Sequence, residues 1–196
     1  KHVMNEINEL IDNPNRYFEH FGKGGKPQSK IDNSLQQIYY GAPGTGKSHA
    51  IDKDKIVTKE NSIRTTFHPD SDYASFVGCY KPTVAQGTNS ITYAFCPQIF
   101  TEAYIAAWEN PDKNIFLIIE EINRGNCAQI FGDIFQLLDR KNGLSEYPVK
   151  ADKDLANYLG KRLSVGLRGI ANGNLQLPPN FNILATMNTS DQSLFP

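Results

Sequence analysis

At 196 residues and 39% hydrophobic content, the chain is long enough for one globular domain with its own core. Twenty basic against 21 acidic side chains leave a net charge of −1, which excludes the overall positive field that drives nucleic-acid binding, so any DNA contact is local or supplied by another domain. No apolar run approaches the roughly 20 residues of a membrane-spanning helix, and Cys79, Cys96 and Cys127 fit neither a disulfide framework nor a CxxC-type zinc site; a soluble protein in a reducing, cytoplasmic setting is expected.

Val3, Ile7, Leu10 and Ile11 recur at helical spacing before Pro14, and the glycines, proline and lysines of 22–30 read as a linker. Residues 1–30 are therefore expected to be a helical preface and linker, with the main domain over 31–196. Next comes "LQQIYYG", a β-prone run that stops at glycine, then a glycine-rich turn and a helical "SHAIDKD". Ser62 to Phe67, Ile115 to Ile119 and Phe181 to Met187 are apolar runs flanked by turn signals and look like buried parallel strands. Helical patterns lie between them at Phe100 to Trp108 and at Ile130, Phe131, Ile134, Phe135 and Leu138, whose spacing puts them on one apolar face. Alternating strands and helices imply a doubly wound α/β fold. The polar, glycine-bearing segment 141–180, with a helical stretch around Asp154 to Leu163, reads as an inserted helix and hairpin at one edge.

"GAPGTGKS" matches the Gly-x4-Gly-Lys-Ser/Thr pattern in full, directly after a predicted strand and directly before a predicted helix. Glycines let the backbone curl so that its N–H groups face phosphate oxygens, and the helix adds the positive end of its dipole. The expected nucleotide-binding set is Gly41, Ala42, Pro43, Gly44, Thr45, Gly46, Lys47, Ser48 and His49. Lys47 would reach the β- and γ-phosphates, and Ser48 would put its hydroxyl on Mg²⁺.

In "IFLIIEE", five apolar residues precede two carboxylates, the pattern of a central strand whose C-terminal end opens onto a ligand. Glu120 is assigned to the metal shell with Ser48, and Glu121 to polarising the attacking water. The usual first acid is aspartate, and the extra methylene of Glu120 crowds a small, geometrically strict ion. After the last strand, Asn188 offers its amide to the γ-phosphate or to the attacking water. His68 has no second His or Cys at metal spacing and is read as structural.

These three motifs together resemble the AAA+ module of McrB-type proteins, the nucleotide-driven motor subunits of modification-dependent restriction systems. The resemblance covers roughly Gln37 to the end. It includes "TFHPDSDYASFVGCYKP", "EEINRGN" with Glu121, Asn123, Arg124 and Asn126, the "FGDIFQLLD" helix, and "MNTSDQS", where Gln192 stands at a position usually held by arginine. It implies strand order 5-1-4-3-2, homo-oligomeric rings with active sites between subunits, and hydrolysis of ATP or GTP coupled to a nuclease partner, with DNA held through other domains or that partner. It also implies a fifth strand, an arginine finger and a helical lid that do not follow here, so slow hydrolysis by this chain is expected. Arg124 either faces a neighbouring subunit, the favoured reading, or caps the following helix. Two alternatives to a restriction motor stay open: a nucleotide-gated assembly module with impaired hydrolysis, and an AAA+ remodelling ATPase unrelated to restriction.

Overall fold

A computed structural model describes residues 34–84, 90–163 and 168–189. The expected preface and linker over 1–30 lie outside these residues, as do Asp191, Gln192 and Ser193.

Four strands form one parallel sheet: β1 (Gln36–Gly41), β2 (Ser62–Thr66), β5 (Ile115–Glu120) and β10 (Phe181–Asn188), in the order β1-β10-β5-β2. That is the order the resemblance implies for its first four strands. β5 is central and its apolar residues alternate between two cores, as the two-residue period of a strand requires. Ile115, Leu117 and Ile119 face the larger cluster, while Phe116 and Ile118 join Ile51, Val57 and Leu184 on the opposite face. The smaller cluster lies under α1 (Lys47–Asp52). The larger one is capped by α2 (Tyr73–Phe76), α3 (Ile99–Glu109) and α4 (Cys127–Phe131). Its centre is aromatic: Phe76 packs on Phe67, Phe100 and Phe131 with ring centroids 5.0–5.5 Å apart, the spacing of favourable edge and tilted contacts.

Two expectations change. Among the described residues, Ser62–Thr66 is an edge strand hydrogen-bonded to β5 alone, so Ile63 is buried while Arg64 and Thr66 are exposed. The apolar face over 130–138 is not one helix. Gly132 takes φ 51°, ends α4, and the chain continues as a 3₁₀ segment, Gly132–Leu138. At three residues per turn, Phe131, Ile134 and Leu137 share the buried face and Phe135 turns outward, 51% exposed.

An antiparallel ribbon of β3 (Gly78–Val84) and β4 (Ile91–Pro97) lies between α2 and α3. Segment 141–180 holds α5 (Lys153–Arg162), capped by the Asp152 carboxylate, which accepts from the N–H groups of Asp154 and Leu155. Beside it are two short pairs, β6 (Arg140–Lys141) with β7 (Leu144–Ser145), and β8 (Val149–Lys150) with β9 (Asn174–Leu175). Leu155, Leu159, Leu175 and Leu177 from this segment are buried in the larger core.

Candidate functional site

Parallel register sets the site. Gly41 pairs with Asn188, Ala185 with Ile119, and Thr66 with Glu120, so the C-terminal ends of all four strands finish at one edge of the sheet. This is where ligands bind in open α/β sheets, because loops leaving adjacent strands part there. A cavity of about 570 Å³ opens at that edge. Pro43, Gly44, Gly46, Lys47, Ser48 and His49 line one side, and Thr66, Glu120, Glu121, Thr186 and Asn188 the other.

Gly41, Ala42 and Thr45 shape the loop without lining the cavity. Thr45 Oγ1 donates to the Ala42 carbonyl at 2.8 Å, and the Thr189 N–H reaches the Gly41 carbonyl at 3.2 Å. Gly46 precedes α1 at φ 81°, a left-handed conformation that favours glycine. The Lys47 ammonium donates to the carbonyls of Gly41 and Ala42, both at 2.9 Å, and is folded against the loop it would serve.

The Glu120 carboxylate accepts from three side chains. Its Oε2 accepts from Ser48 Oγ at 3.0 Å and from Thr186 Oγ1, and its Oε1 accepts from Arg64 Nη1. Through its other nitrogen Arg64 also pairs with Asp52 Oδ1 at 2.5 Å. Ser48 and Glu120, expected to share a metal shell, are therefore in direct contact although 72 residues apart.

Glu121 lies just past β5 at φ 53° and ψ 46°, left-handed backbone on a residue with a side chain. Such a conformation costs roughly 1–3 kcal/mol and persists only where neighbours over-determine it. Here they do. The Glu121 N–H donates to Thr186 Oγ1 at 3.0 Å, Arg124 Nη1 lies 2.6 Å from Oε2, and Asn188 Nδ2 donates to Oε1 at 3.3 Å. Asn123 Nδ2 donates to the Asn188 carbonyl at 3.0 Å, tying the segment after β5 to the end of β10.

All residues assigned from the motifs thus surround the cavity or shape its loop, and Arg124 sits beside Glu121. Two functional candidates escaped the motif reading. Thr186 touches both carboxylate residues, and its place two residues before Asn188 on a strand, hence on the same face, was the available signal. Arg64 carried no local signal.

Residues 37–196 match the family AAA domain (dynein-related subfamily). The chain belongs to this family. The chain is 40% identical over 201 residues to the Bacillus subtilis (strain 168) protein named Type II restriction enzyme BsuMI component YdiS, covering 89% of this chain and 57% of that relative. It is 28% identical over 186 residues to the Escherichia coli (strain K12) Type IV methyl-directed restriction enzyme EcoKMcrB subunit, covering 86% of this chain and 35% of that relative. The chain therefore spans little more than half of the first relative and about a third of the second. Both names are of restriction-enzyme components, and the second carries the McrB type read from the motifs. Among the described residues of the AAA domain, no helix is long and apolar enough to cross a membrane.

Proposed function

We propose that this AAA domain binds ATP or GTP with Mg²⁺ and hydrolyses it to drive a McrB-like DNA restriction complex. The hydrogen bond from Ser48 Oγ to Glu120 Oε2 carries the reading, because it joins the end of the glycine loop to the end of β5 at the edge of one cavity. A hydroxyl and a carboxylate are hard oxygen donors, and Mg²⁺ beside a nucleotide takes few protein ligands, the remainder being phosphate oxygens and water. The donor set fits: Ser48 and Glu120, in contact with each other, would hold the ion. When bound beside these residues, the ion would supply positive charge that neutralises the charge building on the phosphates.

In this reading Lys47 leaves the Gly41 and Ala42 carbonyls for the phosphates, a short swing for a side chain already at the loop. Glu121 orients and polarises water, and Asn188, already in contact with Glu121, senses the γ-phosphate. The assembly would be a cytoplasmic homo-oligomeric ring with a nuclease subunit, DNA being held through other domains or that partner. The names of the two relatives support a restriction setting.

Calorimetric titration with non-hydrolysable GTP and ATP analogues in Mg²⁺ tests the binding step, with Lys47→Ala as control. Binding by the wild type and loss in the variant is expected; equal titrations would sink the proposal. A preference of about tenfold, or about 1.4 kcal/mol, decides the base.

A second reading is favoured by the engagement of both catalytic-edge carboxylates with arginines: a nucleotide-gated assembly module in which hydrolysis is impaired. Glu121→Gln separates the two in the assembled complex, abolishing turnover under the first and changing little under the second. Co-purification of a nuclease subunit separates a restriction motor from a remodelling ATPase of another system.

A further inference from the structure

We propose that Arg64 is a positioning residue that sets the metal affinity of the site by clasping Glu120 from the edge strand; this rests on the Mg²⁺-nucleotide reading above. Arg64 pairs with Ile118 in register and Thr66 with Glu120, so Arg64 and Glu120 lie on one face of the sheet, two residues apart along the strands. Its guanidinium spans two carboxylates, Nη1 on Glu120 Oε1 and Nη2 on Asp52 Oδ1 at the end of α1. The two acids differ in setting. The Asp52 side chain is 57% exposed and the Glu120 side chain only 14%, so the pair with Glu120 is the less screened of the two.

A glutamate reaches one methylene farther than an aspartate, so an unrestrained Glu120 could turn either oxygen towards a metal beside Ser48. Arg64 removes that freedom. It draws Oε1 sideways towards β2 and leaves Oε2 on Ser48 and Thr186. Two fixed donors on one planar group suit this task, and a lysine, a single point charge, cannot hold both acids at once. Because Arg64 does not line the cavity, its effect passes through Glu120 and not through contact with the nucleotide. Groups that orient metal ligands typically govern affinity by about 10–100-fold.

The test is binding of a fluorescent non-hydrolysable nucleotide as Mg²⁺ is titrated, for the wild type, Arg64→Gln, Glu120→Asp and the double variant. Arg64→Gln is expected to raise the half-saturating Mg²⁺ about tenfold. Binding in EDTA stays within about twofold, and Arg64→Lys falls between Gln and wild type. In the Glu120→Asp background, whose shorter carboxylate withdraws from the clasp, Arg64→Gln adds less than about twofold. Asp52→Asn, at an exposed position that tolerates change, provides the same test without disturbing the sheet and shifts Mg²⁺ dependence in the same direction by less. An unchanged Mg²⁺ midpoint in folded Arg64→Gln, or an equal shift in the wild-type and Glu120→Asp backgrounds, would overturn the assignment. If the wild type binds no better than Lys47→Ala at any Mg²⁺ concentration, the nucleotide reading falls and this assignment with it.

Discussion

Arg124 Nη1 lies 2.6 Å from Glu121 Oε2, so the proposed water-polarising carboxylate is paired within its own chain by a residue three positions on. The other Glu121 oxygen accepts from Asn188. An ion pair still open to solvent contributes little to stability, roughly 0–1 kcal/mol, and this one is partly buried with its side chains 42% and 31% exposed, so its main consequence is orientation. Arg124→Ala is therefore expected to leave Mg²⁺-nucleotide affinity within about twofold and to lower single-turnover hydrolysis about tenfold, less than the roughly 10²–10⁴-fold that a positioned acid or base itself contributes, because Arg124 acts only through Glu121. The loss should be equal at low and high protein concentration. A loss that disappears at high concentration would assign Arg124 to the subunit boundary instead.

Thr186 supports both carboxylates at once. Its hydroxyl donates to Glu120 Oε2 and accepts the Glu121 N–H at 3.0 Å, and the residue is 2% exposed. Thr186→Val keeps the shape and removes both bonds, leaving a strained backbone N–H without its partner, at a cost of roughly 1–3 kcal/mol. For a domain of this size each kcal/mol lowers Tm by about 2–4 °C. Melting followed by the fluorescence of the single tryptophan, Trp108, whose indole N–H donates to the Gln176 carbonyl, reads the change. Thr186→Ser should recover most of the loss; a valine variant that melts with the wild type would show that the hydroxyl does not hold the turn.

What the sequence made legible, and what it hid, follows from how far apart the interacting residues lie. The glycine loop, β5 and the strand before Asn188 were readable because each is a contiguous pattern: a spaced motif, an apolar run ended by carboxylates, an apolar run ended by an amide. Arg64 and Thr186 were not, since their bonds to Glu120 cross 56 and 66 residues and depend on register between strands. The ribbon of β3 and β4 stayed hidden for another reason. Val84, Ile91 and Tyr93 are exposed, so apolar character there did not report burial. At 130–138 the apolar spacing suits an α-helix, and only the backbone at Gly132 converts it to a 3₁₀ turn.

Gly46 isolates backbone conformation from space. Nothing lies within 4 Å of a Cβ built there, yet its φ is +81°. Gly46→Ala is expected to destabilise the ligand-free domain by about 1 kcal/mol through the left-handed backbone alone. Asn adopts that region more readily, so Gly46→Asn should be the milder change. Denaturant midpoints that rank Asn below Ala would point to crowding.

Glu102 on α3 gives the domain a pH dependence remote from the cavity. Burial pushes its carboxyl up to about 7; Arg162 opposes the shift and Glu109 adds to it. Tyr158 faces the same group, and its hydroxyl is pushed up to about 12, chiefly by burial and then by Glu102. Between the ordinary carboxylate value and about 7, the folded state keeps a proton that the unfolded chain has released, so stability falls as pH rises. The contribution is complete below the unfolded value and lost as pH passes the folded one. From the size of the shift the loss is at most about 3 kcal/mol. Glu102→Gln, a neutral isostere, should match the wild type near pH 4 and exceed it at about pH 8. Urea midpoints at about pH 5 and about pH 8 measure the slope, and the difference between variant and wild type removes the contributions of other acids. Parallel wild-type and Glu102→Gln profiles would mean that Arg162 compensates the buried charge fully.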